Sequence, residues 1–431
     1  MRPDLTAMPR RVRVNIGLFA SLAVALLLTT LAWMIPMMLW DHLDLVPIYQ
    51  AWREGGLWQS EFARVHHGSH LHVAAYAVLL LTTHLSHGQP WLDGVASWLL
   101  LLGHAALVLR LAWQAESAGA ARWLPLVAIL LALHPGHLAN LQWGWQVAVA
   151  LCLVNVTLAL TCLASSRLDA RRNGLALLVT CVAVASFSSG LALVPVALLL
   201  IGLRHEWSMR RRLLFALPWL LLGGIAALWL GSGVPNDAQR DIAALALYVL
   251  NFLGGAVARF GRDLAAPLAM LALLSGLWAA WRLRAESAAR AWLGLAAFGL
   301  GCALLTALGR EADYGVEHAF ATRYVSFSLL FWLGWAGLMA LLMPRVQGAA
   351  LQLLRWCLPL IAVLALFNAL HLAKQARDLA QRSQAIAEAV RIGGDALDEQ
   401  LLRDIYFDQP DIARQRLALL RQWGFAPFEP R

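Results

Sequence analysis

Apolar residues along this chain fall in long continuous runs cut by short polar breaks. The pattern has neither the two-residue alternation of a half-buried strand nor the striped face of a soluble helix. Thirteen runs stand out: 14–39, 71–86, 94–113, 123–137, 145–164, 174–188, 191–203, 213–231, 242–258, 264–281, 291–309, 325–343 and 350–373. A helix needs about 20 apolar residues to cross a bilayer. The pattern therefore predicts an all-α, polytopic transmembrane bundle of 11–13 helices. Several runs are short, and 174–188 and 191–203 meet at SFSSG, which reads as a tight hairpin or a kink.

Beyond residue 373 the pattern changes. Residues 374–431 hold nine basic and nine acidic side chains. In QPDIARQRLALLRQWG, Pro410 suits a helix start, and Leu417, Leu420 and Trp423 share one face. The expected organisation is a transmembrane domain, 1–373, with polar loops at 40–70, 134–144, 232–263 and 310–324. A small soluble helical tail, 374–431, follows and packs on those loops.

Basic residues set the expected orientation. With the N-terminus inside, the inside segments hold 17 Lys and Arg and the outside segments hold seven. That is the positive-inside bias. It places the N-terminus in the cytoplasm and the tail in the periplasm of a bacterial inner membrane. Two regions, 71–113 and 242–281, look like helix pairs but must cross an odd number of times. One helix of each pair is expected to lie along the interface or enter only partway.

Composition narrows the class. Of 431 residues, 60% are hydrophobic and 14% charged, more apolar area than a globule can hide. The net charge of +9 sits in short clusters between apolar runs, so it does not point to nucleic acid. All five cysteines lie inside apolar runs, and no C-x-x-C occurs, which leaves neither a zinc site nor a disulfide framework. The first run begins near Val14 after four arginines and is too long for a signal peptide, so it reads as a retained helix.

Candidate chemistry gathers on the expected outer side. Asp41 and Asp44, in WDHLDLVPIYQAW, follow the first apolar run, and desolvation there can raise a carboxylate toward use as a base. The ordinary alternative is that acids end helices in water. His66, His67, His70 and His72, in HHGSHLH, have spacings that suit a transition metal, and imidazoles also contact phosphate or sugar oxygens. No carboxylate or Cys completes a ligand motif, so no metal ligands are assigned, while a divalent ion stays possible. His134 and His137 stand in the next outer loop. Arg310 and Arg323 flank GREADYGVEHAFATRY, and an Arg at a helix mouth either forks onto phosphate or snorkels to headgroups. Tyr324 fits an aromatic belt. In LHPGHLANLQWGWQ, the amides of Gln142 and Gln146 and the indoles beside them suit sugar hydroxyls and C–H faces, and equally suit interfacial anchoring.

In this order the motifs resemble the GT-C superfamily of membrane glycosyltransferases, which includes protein O-mannosyltransferases and aminoarabinose transferases. The chain looks most like a bacterial branch of that group. The family's acidic loop after the first helix matches Asp44 with Tyr49 and Ala51, and Asp41 is the second choice. HHGSHLHVAAYAVLLL stands where the branch has a His-rich stretch, but lacks its Glu and Arg. QWGWQVAVAL, SFSSGLALVP and ALGR–ATRYVSFSLLFWL match later landmarks. The resemblance implies transfer of a sugar from a polyprenyl-phosphate carrier to a glycan, lipid or protein acceptor, with no required cofactor. It implies Asp44 as base and Arg323 and Arg310 on the lipid phosphate, with Tyr324 beside them. His67, His70, Gln142 and Gln146 are the candidate substrate contacts. Two other classes share these features. A transporter or flippase of lipid-linked sugars would use discontinuous helices, and a non-catalytic scaffold of an envelope polysaccharide machine would dock partners on the tail.

Overall fold

The first helix, α1 (Arg10–Ala32), stops four residues before Pro36 rather than running to Leu39. Proline lacks the N–H that helix continuation needs and disfavours helix at the residue before it. Residues 33–39 instead form a buried irregular segment, and the Ile35 N–H donates to the Gln142 carbonyl at 2.9 Å. The computed structural model describes residues 9–66, 70–230, 241–393 and 397–428. It is 84% helical.

After α1 come α2 (Leu45–Arg53), α3 (Val73–Leu85), α4 (Trp91–Ser117), α5 (Leu124–Ala132), α6 (Leu138–Leu141) and α7 (Val147–Ala164). Then follow α8 (Ala170–Ser186), α9 (Leu193–Gly202), α10 (Met209–Leu230), α11 (Ile242–Ala258), α12 (Arg262–Arg282) and α13 (Arg290–Tyr314). The chain closes with α14 (Val325–Leu342), α15 (Gly348–Gly393), α16 (Glu399–Ile405) and α17 (Pro410–Trp423). Among the described residues the extended pairing is one short antiparallel ladder, with Val65 opposite Leu71 and His66 opposite His70.

Ion pairs and long-range hydrogen bonds identify the two ends of the bundle. At the basic end Arg11 pairs with Glu116, tying the start of α1 to the end of α4. Arg290 pairs with Glu206 at 3.1 Å, and the fully buried Arg204 donates to the Leu163 and Ser165 carbonyls at 2.7 and 2.6 Å. The opposite, polar end carries segments 33–66, 70–72, 133–146, 187–192, 315–324 and the tail.

Among the described residues nine helical stretches are long and apolar enough to cross a membrane. The shorter α8 and the Ser188–Gly202 unit also join the two ends, which makes eleven passes among the described residues. After SFSSG opens with the end of α8 and an extended Phe187, a short 3-10 turn, Ser188–Ala192, reverses the chain between these two passes. Two helices do not cross. At the start of α3, His72 Nδ1 meets the carbonyl of Ser186, the last residue of α8, at 2.9 Å. Near the end of α3, Thr82 donates to Asp93 at the beginning of α4. Both ends of α3 therefore sit at the polar end. α11 behaves alike: Tyr248 reaches His318, and Arg259, just past the helix, reaches Gln375. These two helices resolve the parity problem of 71–113 and 242–281.

The core centres on α14, every residue of which is buried. Helices approach closely there because small residues remove the side-chain spacer. A Cβ on Gly334 would lie 2.2 Å from the Ala296 backbone nitrogen on α13. α15 runs unbroken for 46 residues, roughly 70 Å at the helical rise, over twice the bilayer core. The compositional change at 373/374 therefore falls inside one helix. A second apolar core joins residues 35–62, α3, the start of α7 and the tail. The tail thus shares a core with the polar-end loops.

Candidate functional site

Asp41 and Asp44 lie on a 3-10 helix, Trp40–Asp44. At three residues per turn their side chains eclipse. Asp44 is buried, and its Oδ1 accepts hydrogen bonds from Tyr406 Oη and Arg416 Nη1, both at 2.6 Å. The tail therefore covers the expected base. Burial, then the Asp44 carboxylate, pushes the Tyr406 phenol up to about 12. Asp41 is half-buried and lies close enough to Tyr76 that its charge, with that of Asp44, raises that phenol too, after burial itself. Trp40 Nε1 donates to the Asp404 carbonyl, and Tyr49 packs on Trp423 and Phe425 at 5.3 Å each.

Behind this loop sits a buried pair that sequence reading did not single out. His42 Nε2 lies 3.7 Å from Asp93 Oδ2, and both side chains are almost fully buried. Burial pulls the His42 imidazole down to about 3, which keeps it neutral at ordinary pH. The signal for Asp93 was an acid at the edge of the 94–113 apolar run, where an ionisable residue near membrane depth marks a functional or paired group.

Segment 133–146 turns inward rather than lining an open mouth. Gln142 has no exposed surface and Gln146 has 4%, so neither amide is placed to read a sugar from solvent. His137 Nδ1 and Asn140 Nδ2 both meet Ser326 Oγ at 2.8 Å, and Asn140 Nδ2 also donates to the Arg323 carbonyl at 3.0 Å. Gln146, His137, Asn140 and Ser326 line a cavity of about 10 Å³, room for a water molecule and no sugar. The segment also touches the aspartate loop, because Trp143 Nε1 donates to the Leu39 carbonyl at 3.3 Å.

Arg310 and Arg323 both lie near His318. Arg323 Nη2 donates to His318 Nε2 at 3.2 Å. Guanidinium has only donors, so Nδ1 of His318 carries the ring proton and donates to Tyr248 Oη at 3.1 Å. Burial, then Arg323 and Arg310, lowers His318 to about 4. Tyr314 is exposed, stacks on His318 at 4.7 Å, and lies under Arg310 at 5.7 Å. Neither Arg310 nor Arg323 has an acidic partner within ion-pair distance among the described residues. Tyr324 is buried and stacks on Phe252 at 5.3 Å, so it serves the core and not a lipid-facing belt. His318 lay unmarked in the GREADYGVEHAF loop. Tyr248 and Arg416 gave no signal, since both reach the site from distant segments.

His67 lies outside the described residues. His70 is described only through its backbone ladder with His66. Among the described residues no group of three His, Cys, Asp or Glu side chains converges as a metal site. Compared with protein-family models, curated proteins and solved structures, the chain finds no match.

Proposed function

We propose that this chain is a GT-C-type membrane glycosyltransferase, moving a sugar from a polyprenyl-phosphate carrier to an acceptor outside the bacterial inner membrane. The observation that carries the reading is the pair Arg310 and Arg323, without an acidic partner among the described residues, Arg323 bonded to neutral His318 and Arg310 lying over exposed Tyr314. Such a cluster at a membrane surface suits a lipid phosphate.

The chemistry follows. An acceptor hydroxyl oxygen attacks the anomeric carbon as the bond from that carbon to the phosphate oxygen breaks. A carboxylate takes the hydroxyl proton. The leaving polyprenyl phosphate keeps the electron pair, and Arg323 and Arg310 stabilise its charge. Asp41 is the more accessible base, because it is half-buried where Asp44 is buried beneath the tail. Segment 133–146 couples the two halves, bonding to Leu39 on one side and to the Arg323 carbonyl on the other. The polar end faces the periplasm and the basic end the cytoplasm, in keeping with the arginine bias.

The test is a native mass spectrum of the full chain in mild detergent, followed by turnover with a panel of polyprenyl-phosphate sugars. The expected result is a bound species of carrier mass, lost in Arg323→Ala, and transfer abolished in Asp41→Asn. Ordinary phospholipids alone, in wild type and variant alike, would remove the carrier from the account. Lipid translocation in liposomes with no new glycosidic product would replace the transferase by a transporter.

A further inference from the structure

At the corner where α11 turns into α12 against α15 lies a second cation cluster, which borders the His318 segment through the Arg262–Glu317 ion pair. Arg259 is only partly exposed. Its Nε donates to Gln375 Oε1 at 2.8 Å, while its Nη1 is buried with no hydrogen-bond partner. No carboxylate lies within ion-pair distance of it among the described residues. A buried guanidinium N–H without an acceptor is costly. Burial, then the neighbouring Arg262, holds this guanidinium down at about 10. Arg262 and Lys374 flank it, each paired with one carboxylate, Glu317 and Asp378, so the net positive charge of the corner is that of Arg259.

The surroundings select the kind of anion. Phe260 and Phe367 sit beside the corner with their rings 6.4 Å apart, and both are exposed. Leu264 and Leu370, one on each neighbouring helix, are exposed too. At Lys374 the sequence of α15 passes from apolar to charged, which marks the level of the bilayer surface. A cation with an unfilled donor at that level, above an exposed apolar wall, matches a phosphate headgroup above its acyl chains.

We infer that this corner binds the phosphate group of an anionic phospholipid, with the Arg259 guanidinium as the central donor and the paired Arg262 and Lys374 at its rim. The acyl chains lie along Phe260, Phe367 and Leu370. The site does not depend on the proposed sugar transfer.

The experiment uses the delipidated full chain in neutral detergent, titrated with phosphatidylglycerol, phosphatidylcholine or inorganic phosphate, with bound lipid counted by native mass spectrometry and melting temperature read in parallel. Phosphatidylglycerol is expected to bind and stabilise more than phosphatidylcholine. Arg259→Gln is expected to weaken that binding by about tenfold, the scale of one strong charge-assisted contact. Arg262→Gln, at an exposed side chain that leaves folding intact, should weaken it less. Arg323→Ala should leave it unchanged. Equal binding of both lipids, or phosphatidylglycerol binding lost in Arg323→Ala and kept in Arg259→Gln, would overturn the site. Stabilisation by inorganic phosphate equal to that by phosphatidylglycerol would overturn the lipid as occupant.

Discussion

The carboxylate of Asp44 and the guanidinium of Arg416 meet at 2.6 Å across 372 residues of sequence. The two side chains are only 10% and 16% exposed. Removing one member of such a pair leaves the other as an uncompensated charge, at a cost of about 3–5 kcal/mol when burial is deep. Arg416→Ala is therefore expected to lower the melting temperature and to open the tail to protease, and a second change, Asp44→Asn, is expected to restore part of the loss. Unchanged proteolysis in Arg416→Ala would mean that the apolar contacts of Tyr49 with Trp423 and Phe425 hold the tail unaided.

Tyr406 gives the same clamp an alkaline limit. Its phenol is pushed up to about 12 by burial and by the Asp44 carboxylate that accepts its proton. A raised folded-state pKa means that the neutral phenol is favoured in the folded protein. The contribution is complete below the unfolded value near 10 and is lost as pH rises from there through 12. Tail protection from protease should thus persist to about pH 10 and fail above it. Tyr406→Phe should lose the hydrogen bond at every pH and flatten that dependence. A wild-type profile identical to that of Tyr406→Phe would remove the bond from the clamp.

Periodicity revealed the helices because membrane passes are written locally, as apolar runs of sufficient length. It also exposed the parity conflict at 71–113 and 242–281, and α3 and α11 answer it by keeping both ends at the polar end. The end of α1 was legible too, since Pro36 is a local signal, though the continuous apolar run masked it. The site was legible only by parts. Arg310 and Arg323 share one quoted loop, but Tyr248 and Arg416 reach their partners by tertiary packing, which no local pattern encodes. Gln142 and Gln146 illustrate the opposite failure: amides beside tryptophans read as surface, and the 133–146 turn buries them. Asp44 was found, yet its engagement by the tail depends on the shared core that joins residues 35–62 to α17.

The bond from Arg323 to His318 should hold across physiological pH and fail in acid. Burial and the two arginines lower His318 to about 4, against an ordinary value of 6.5. A lowered histidine pKa means that the folded state favours the neutral ring. Its contribution is complete above the unfolded value and is lost as pH falls from 6.5 through 4. The difference in melting temperature between wild type and His318→Gln is expected to be constant from pH 8 to 6.5 and to shrink toward pH 4. A difference that grew in acid would mean that a protonated His318 is the stabilising form, and would refute the donor order assigned to the Arg323–His318–Tyr248 chain.

Gly144 is the tightest demand that the buried His42–Asp93 pair makes on the chain. A Cβ at this position would lie 2.6 Å from Asp93 Oδ2 and 2.6 Å from His42 Cε1. Neither neighbour can retreat freely. Asp93 is fixed by the Thr82 hydroxyl at the end of α3, and His42 is buried in the 3-10 helix that carries Asp41 and Asp44. Overpacking of this kind costs about 1–3 kcal/mol. Gly144→Ala should lower the melting temperature and, by displacing the 3-10 helix, loosen the tail that is anchored on Asp44. Ala is small and suits helical backbone, so a conformational preference does not account for the loss. Melting and limited proteolysis of Gly144→Ala beside Gly174→Ala make the comparison, because a Cβ at Gly174 meets nothing within 4 Å. Equal, small effects at both positions would show that Asp93 and His42 have room to move, and the pair would then be a tolerant contact with no hold on the aspartate loop.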